Sequence, residues 1–229
     1  MNVGRDKLFD ILRANSLLIK VKRQYHVTTD SHHRFKKHKN LIEGLEIKRP
    51  EQVLVSDITY VGSRENPIYL ALVTDAYSKK IMGHNVSESL GAKGATAALR
   101  MAVKNSSYHK NEMIHHSDRG IQYCCDMYQK TLQNEGIKCS MTEKYDPYQN
   151  AVAERMNGII KQEFIGGLKT RNFKLMKSLI EDSIKIYNNQ RPHYSNYLMT
   201  PQRMHEQSKV KMRTYNNQKT ESHSRMELS

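Results

Sequence analysis

The stretch VLVSDITYV, residues 53–61, decides how this chain folds, because it reads as a buried β-strand interrupted by a single acid. Valine, isoleucine, threonine and tyrosine suit a pleated and largely buried surface. A carboxylate inside such a run, here Asp57, costs several kcal/mol unless it is paired or bound to a metal ion. A capped or salt-bridged Asp57 would also explain the stretch, so its meaning depends on the other acids of the chain.

Two further acids occupy comparable places. Asp118 follows an apolar run in MIHHSDRG, residues 113–120, and Glu154 stands where a helix should begin in NAVAERMNG, residues 150–158. Three carboxylates brought together would raise one another's pKa, and hard divalent cations bound through oxygen remove that penalty. Two such ions can activate a water or a 3′-hydroxyl and stabilise the leaving oxygen in phosphodiester transfer. The acids could equally be three unrelated surface or capping residues, since a glutamate in a first turn favours the helix dipole.

The charge of the chain indicates a polyanionic partner. Its 229 residues carry a formal net charge of +14, with local concentrations of cations at residues 20–23 and 34–39. Nucleic acid is the commonest polyanion, although such a surplus could also serve solubility alone. The length allows one sizeable α/β domain with a small appendage.

Cysteine usage and hydropathy predict the compartment. The three cysteines, Cys124, Cys125 and Cys139, form no C-x-x-C pair, which argues against a zinc ribbon or a disulfide framework and favours a reducing environment. No apolar run approaches the roughly 18 residues of a membrane span, and the N-terminus lacks a signal-peptide core. We therefore expect a cytoplasmic protein without a membrane partner.

The hydrophobic pattern predicts a mixed sheet with helices on both of its faces. Strands are expected at residues 53–61, 68–74, 81–86, 112–117 and 137–139. Helices are expected at residues 92–104, 121–134, 151–165 and 173–190. The short turns between the first three strands favour antiparallel neighbours.

The N-terminal region is basic and reads differently from the rest. Residues 4–23 form a short helical pattern that ends in Lys20, Lys22 and Arg23, either the tail of a helix-turn-helix that contacts phosphate or a structural arm. We therefore divide the chain into three parts. We expect residues 1–45 to be a partial helix-turn-helix-like DNA-binding segment with its linker, 46–206 to be the candidate catalytic core that holds the three acids, and 207–229 to be a flexible polar tail.

The helix that carries Glu154 has two different faces. Asn157, Gly158 and Lys161 lie three, four and seven residues after Glu154, on its own face. The small glycine would let a DNA backbone approach, and Lys161 could hold a phosphate beside the carboxylates. The opposite face is apolar and suits the core; its residues are Val152, Met156, Ile159 and Ile160.

Together these residues resemble a known family, the second-frame (OrfB) product of insertion-sequence transposases, whose catalytic core is of the retroviral-integrase type. The resembling segments, in the order of the family and over about residues 4–205, are VSDITY (55–60), LVTDAYSKKIMGH (72–84), HHSDRGIQY (115–123), DPYQNAVAERMNGIIKQE (146–163), YNNQRPH (187–193) and TP (200–201). Leu54 stands where the family often has tryptophan, a core replacement in a chain without tryptophan. The match begins at the last helices of the family's N-terminal helix-turn-helix.

The resemblance implies an RNase H-like fold, with a mixed five-stranded sheet flanked by helices and a small N-terminal helical segment. It also implies a D-D-E triad of Asp57, Asp118 and Glu154 that binds two Mg²⁺ or Mn²⁺ ions. Lys161 would fill the family's basic position, and Arg119 would join Asn157 as a DNA contact.

The family's activity supplies further expectations. Its members cut the 3′ ends of their element and join them to target DNA by direct transesterification, without a covalent enzyme intermediate. They usually act as homo-multimers on paired element ends. The incomplete N-terminal region suggests that a first-frame (OrfA) protein is a further partner, and a DNA-acting enzyme is expected at the nucleoid.

Two alternatives remain open at this point. The chain could be a truncated, binding-only protein that competes with a full-length transposase, or an RNase H-like nuclease. Smaller questions also stay open. His115 and His116 could orient Asp118, touch DNA or be satisfied strand histidines, and Asp75, which ends a strand near the presumed site, could have a functional role.

Overall fold

The computed structural model describes residues 4–18, 33–62, 66–143, 150–166, 168, 170 and 172–207. Its strands are β1 (Val53–Tyr60), β2 (Tyr69–Asp75), β3 (Ile81–Ser87), β4 (Ile114–Ser117) and β5 (Lys138–Met141). They form one five-stranded sheet in the order β3-β2-β1-β4-β5. The first three strands are antiparallel neighbours, whereas β4 runs parallel to β1 and β5 parallel to β4. The predicted mixed sheet is confirmed.

Helices cover both faces of this sheet. The α-helices are α1 (Arg5–Ala14), α2 (Ala92–Lys104), α3 (Ile121–Cys124), α4 (Asp126–Asn134), α5 (Ala151–Ile159), α6 (Phe173–Asn189) and α7 (Pro201–Glu206). Short 3₁₀ turns lie at Lys110–Glu112 and Tyr194–Asn196, and a π-helical segment, Ile160–Ile165, continues α5. In the described parts of the chain no helix is both long enough and apolar enough to cross a membrane.

One face of the sheet packs against α2, α3 and α4. Small residues let α2 approach the sheet closely, because Ala95, Ala98 and Ala102 are buried against it. At Gly83 of β3 an added Cβ would lie 2.1 Å from the carbonyl oxygen of Ala98, so only glycine fits beneath the helix. The opposite face packs against α5, the π-helical segment and α6, around residues such as Leu72 and Ile160.

The structure differs from the sequence prediction at three places. The helix predicted over 121–134 breaks at Cys125, whose extended backbone separates α3 from α4. The helix predicted over 151–165 changes to π-helical geometry at Ile160. Helix α7 was not predicted; Thr200 caps its first turn by accepting from the Arg203 backbone N–H over 3.3 Å, with Pro201 at the first helical position.

The basic stretch before β1 packs against the sheet instead of crossing solvent. His33 Nε2 donates to the Arg119 carbonyl over 2.8 Å, and the Leu41 backbone N–H donates to Ser140 Oγ over 2.8 Å. Further along, Ile42, Leu45 and Ile47 pack against a small buried cluster at the start of β1. Residues 33–47 therefore belong to the folded body, and the domain boundary at residue 45 stays a prediction.

Candidate active site

The parallel pairing of β1 with β4 brings two of the predicted acids to the same edge of the sheet. Ser56 of β1 pairs with Ser117 of β4, and Asp57 and Asp118 are the residues that follow them. Asp57 sits in the middle of β1, opposite Leu72 of β2, while Asp118 lies just beyond the end of β4. The two carboxylates therefore emerge side by side from neighbouring strands.

Asp57 is a half-buried carboxylate with two protein hydrogen bonds. The Ile58 backbone N–H donates to its Oδ1 over 2.9 Å, and Asn157 Nδ2 donates to its Oδ2 over 2.8 Å. Burial and then the negative charge of Asp118 raise the pKa of Asp57 to about 7, and Glu154 adds to the shift although the Asn157 hydrogen bond opposes it. At neutral pH the site therefore holds more negative charge than its surroundings stabilise.

Glu154 approaches the same two aspartates from α5. Asn150, which precedes the helix, donates from Nδ2 to the Ser56 carbonyl over 3.2 Å and so fixes the start of α5 against β1. The carboxylate of Glu154 is exposed on the outer side of the helix. Partial burial and the charge of Asp118 raise the pKa of Glu154 above its usual value. The three acids thus act on one another electrostatically.

The donor chemistry of these residues suits a hard divalent cation, since carboxylate oxygens are its preferred ligands. The raised pKa of Asp57 marks negative charge that a cation would offset. Among the residues described, however, no group of three or more His, Cys, Asp or Glu side chains stands close enough to hold a metal ion. The described residues therefore do not form a preorganised metal site, and binding of an ion would have to bring the carboxylates closer together.

The predicted DNA contacts have different surroundings. The sequence grouped Asn157 with the exposed face of its helix, but the structure buries it behind Asp57, with its amide directed at that carboxylate. Gly158 has open space where a Cβ would stand. Lys161 is half-buried with Nζ 5.8 Å from the centre of the Tyr60 ring, and burial lowers its pKa. Arg119 is half-buried beside Asp118.

The other predicted DNA contacts, Lys20, Lys22 and Arg23, lie outside the described residues. None of the DNA contacts is tested by this geometry, and all stay predictions.

The two histidines before Asp118 are buried strand residues with hydrogen-bond partners. His115 Nε2 lies 2.8 Å from both Ser56 Oγ and Tyr128 Oη, and His116 Nδ1 lies 2.9 Å from Ser140 Oγ. Burial, with a contribution from the charge of His116, lowers the pKa of His115 to about 3, so this imidazole is neutral. The geometry therefore favours satisfied strand histidines over residues that touch DNA.

A second group of buried acids, which sequence reasoning missed, lies at the other end of β1. Asp75 pairs with Leu54 at the start of β1, so it is not near Asp57 as its strand position suggested. Asp75 and Glu51 are both fully buried, and His205 of α7 lies between them. Its Nδ1 donates to Asp75 Oδ2 over 3.3 Å and its Nε2 donates to Glu51 Oε1 over 3.1 Å. We call Glu51, Asp75 and His205 the histidine clamp.

Backbone and hydroxyl donors complete the histidine clamp. Ser78 Oγ donates to Asp75 Oδ2 over 2.5 Å, and the Ser107 and Tyr108 backbone N–H groups donate to Glu51 over 2.9 and 3.0 Å. Burial would raise the pKa of both acids, but the hydrogen bonds from His205 and these donors outweigh it and lower their pKa. Burial would likewise lower the pKa of His205, and the two carboxylates reverse that shift.

Comparison with known proteins shows the class of protein to which this fold belongs. The integrase core domain family matches residues 47–147, and a second integrase core domain profile matches residues 135–201. The fold resembles retroviral integrase cores. The HTLV-2 integrase catalytic core domain in complex with magnesium superposes with a TM-score of 0.54 and 16% identity, covering 69% of this chain and 98% of that one. A chain of the simian T-cell lymphotropic virus intasome gives a TM-score of 0.58 at 15% identity, over 93% of this chain and 73% of that one.

Sequence relatives show which kind of integrase-core protein the chain resembles. The "Insertion element IS600 uncharacterized 31 kDa protein" of Shigella sonnei is 36% identical over 83% of this chain and 71% of its own length. Transposase InsF for insertion sequence IS3A of Escherichia coli is 32% identical over 80% of this chain and 64% of its own length. The chain belongs to the insertion-sequence transposases with an integrase core domain.

Proposed function

We propose that this chain is a metal-dependent DNA strand-transfer enzyme that cuts the 3′ ends of its insertion sequence and joins them to target DNA by direct transesterification. The observation that carries the proposal is the pair Asp57 and Asp118 on neighbouring parallel strands. The charge of Glu154 also raises the pKa of Asp57. The raised pKa of Asp57 supports the proposal, because it marks negative charge that a bound cation would offset. Membership in the transposase family supports the reaction class.

The cofactor would be Mg²⁺ or Mn²⁺, bound by Asp57, Asp118 and Glu154 in the two-ion arrangement that the resemblance implies. The HTLV-2 core with a similar fold was solved in complex with magnesium. When bound, such ions supply Lewis-acid stabilisation to the attacking and leaving oxygens of a phosphodiester. Asn157 would keep the Asp57 carboxylate oriented through its hydrogen bond at Oδ2.

Cations near the acids would hold the DNA backbone. Lys161 presents an ammonium group next to the ring of Tyr60 at the end of β1. Residues 34–39 add exposed cations. The preceding residue, His33, hydrogen-bonds to the carbonyl of Arg119, the neighbour of Asp118, so these cations lie close to the acids in the fold. Such cations neutralise phosphates without reading sequence, so they would bind any DNA that reaches the acids. Lys20, Lys22 and Arg23 would extend this contact.

The oligomeric state and the protein partner are also proposals. We infer a homo-multimer on paired DNA ends, because a neighbour in fold was solved as an intasome. The chain spans 71% and 64% of the length of two relatives. A first-frame (OrfA) protein is a proposed partner for end recognition, as the family resemblance suggests. The binding-only protein that competes with a full-length transposase is the second candidate, favoured only if the acids prove inactive.

The test is nicking and joining of supercoiled plasmid DNA in Mn²⁺, because attack on non-specific DNA needs no knowledge of the element ends. Wild type should form nicked and joined products, and Glu154→Gln should reduce them by about a thousand-fold or more while DNA binding persists. Glu88→Gln changes an exposed glutamate after β3 and serves as the matched control, with wild-type activity expected. Absence of products from wild type, with DNA still bound, would favour the binding-only protein.

A further inference from the structure

A basic segment ahead of β1 lies at the edge of the sheet that carries the candidate active site. At its first end, His33 Nε2 donates to the carbonyl of Arg119, the residue after Asp118, over 2.8 Å. At its other end, the Met141 backbone N–H donates to the Lys39 carbonyl over 3.3 Å. Asp118 follows the last residue of β4, Met141 is the last residue of β5, and the two strands are parallel. Both anchors of the segment therefore lie at the sheet edge where Asp118 stands.

We call residues 33–39 the basic strip, because cations dominate its surface. Its exposed cationic side chains are Arg34, Lys36, Lys37 and Lys39, and no acid interrupts the strip. The two anchoring hydrogen bonds use a histidine ring and the backbone, so they leave the ammonium and guanidinium groups facing solvent. Cations grouped in this way attract phosphate. The basic strip therefore presents a phosphate-binding surface beside the acids.

Phe35 stands in the middle of these cations and is 36% exposed. Its ring contacts the His33 ring, with centroids 5.6 Å apart and planes tilted by 58°. The phenyl ring has no hydrogen-bonding group, so its apolar face is all that it offers a ligand. A nucleobase stacks on such a face, while neighbouring cations hold the phosphates of the same strand. An aromatic ring interleaved with cations therefore suits a nucleic-acid strand with accessible bases.

Tyr194 offers the contrast within the same chain. It is 84% exposed, and it shares a 3₁₀ turn with the buried Asn196. Asn196 Nδ2 donates to the carbonyl of Ser78, in the turn that follows β2, over 2.6 Å. The last residue of β2, Asp75, pairs with Leu54 at the start of β1, so this turn lies at the end of the sheet away from the acids. Exposure alone therefore does not distinguish the ring of the basic strip, but its position among cations beside the acids does.

We propose that the basic strip binds an unpaired nucleotide of the DNA strand that enters the candidate active site, with its base stacked on the Phe35 ring. The proposal rests on the proposed function and deepens it, because it names the preferred form of the substrate as DNA with a single-stranded or frayed end. Bases inside a duplex are already stacked on their neighbours, so they offer no face to Phe35, whereas their phosphates remain open to the cations. Stacking tolerates every base, so the site does not select sequence.

The experiment measures affinity for a short single-stranded oligonucleotide and for a blunt duplex of the same sequence, by fluorescence anisotropy of labelled DNA without divalent metal. Phe35→Leu keeps an apolar side chain against His33 but removes the aromatic face. It should weaken single-strand binding about ten-fold and change duplex affinity by less than about two-fold. Phe35→Tyr restores an aromatic ring and should bind both DNAs as the wild type does. Tyr194→Leu is the matched control and should also leave both affinities unchanged.

A fluorescent base analogue reports stacking directly. 2-Aminopurine in the single strand should lose fluorescence on binding to the wild type and to Phe35→Tyr, and should lose markedly less on binding to Phe35→Leu. Lys36→Gln separates the contribution of charge from that of the ring. It should weaken binding of both DNAs alike and lower the slope of log affinity against log salt by about one.

The outcomes separate this inference from the proposed function. Wild-type single-strand affinity in Phe35→Leu, or an equal loss for both DNAs, would overturn the inference, because a stacking ring discriminates between them. A failure of Phe35→Leu to fold, or a lower melting temperature with loss of both affinities, would assign Phe35 to packing of the basic strip and would also overturn it. These binding assays use no metal, so a wild type that fails to nick plasmid in Mn²⁺ would end the proposed function and leave stacking on Phe35 standing.

Discussion

Two groups of acids lie along β1, and their electrostatic surroundings differ. At the far end of β1, Glu51 and Asp75 share His205, and their pKa is held below the usual range. Asp75 pairs with Leu54 at the start of β1. Three residues after Leu54, roughly 10 Å further along the strand, Asp57 lies beside Asp118, and its pKa is raised to about 7. Both groups contain a carboxylate from the same sheet, Asp75 of β2 in one and Asp57 of β1 in the other. The difference is that His205 supplies a cationic partner to the first group, whereas no ion pair reaches Asp57 among the residues that the structure describes.

The comparison shows what to expect of a structural and a functional acid. The histidine clamp satisfies its carboxylates with one imidazole, one hydroxyl and several backbone N–H groups, so it stabilises the fold without a ligand. Asp57 receives two hydrogen bonds and, within the described residues, no ion pair. A half-buried charge left in that state lowers the stability of the protein and is typical of a site that binds a ligand.

The largest effect is expected from breaking the histidine clamp. His205→Leu leaves Glu51 and Asp75 buried without their cation, and we expect the free energy of unfolding to fall by about 3–5 kcal/mol. Urea unfolding near neutral pH measures this loss. His109→Leu, at an exposed position, is the control and should change little. If the free energy of unfolding of His205→Leu lay within about 1 kcal/mol of the wild-type value, His205 would not be the cationic partner that stabilises Glu51 and Asp75.

An effect of opposite sign is expected at the other acid group. Asp57→Asn should raise the metal-free stability by about 1–3 kcal/mol at about pH 8, because it removes an uncompensated charge. A folded pKa of about 7 lies above the unfolded value of 3.8, so the charged group destabilises the fold fully above pH 7 and progressively less as pH falls toward the unfolded value.

The measurement is urea unfolding of both proteins across that pH range without metal. The advantage of Asp57→Asn should shrink steadily on acidification, and saturating Mn²⁺ should cancel it at high pH by stabilising the wild type alone. A variant less stable than wild type at all pH values would mean that Asp57 is a structural acid like those of the histidine clamp.

The smallest expected effect is the pH dependence of the stability that the histidine clamp contributes. The pKa of His205 is raised, so its contribution is complete below its unfolded value of 6.5 and is lost as pH rises through the folded value. The lowered pKa of Glu51 and Asp75 gives contributions that are present above 4.5 and 3.8 and are lost on acidification. Stability from the clamp should therefore be greatest in mildly acidic solution.

This pH dependence is best measured in the Asp57→Asn background, which removes the competing titration. Raising pH from about 6 to about 9 should lower its free energy of unfolding by about 1 kcal/mol, and adding His205→Leu should abolish that slope. A slope that survives the second substitution would assign it to another group.

Local sequence signals predicted the sheet and the positions of the three acids, because each depends on a short window. The run of strand-forming residues around Asp57 and the helical spacing after Glu154 are of this kind. The break at Cys125 and the change to π-helix at Ile160 were not predicted, because helical periodicity continues through both. The histidine clamp joins residues 130 and 154 positions apart, and no local pattern records such a pairing.

The place of His205 in the chain has a consequence for how decayed copies of such a gene are read. All three acids of the predicted active site precede α6, whereas the imidazole that neutralises Glu51 and Asp75 arrives only in α7. A reading frame interrupted between Glu154 and His205 would still encode every acid, yet its product would bury two carboxylates with nothing between them. A genome survey that counts copies by their three acids would therefore overestimate the number that fold.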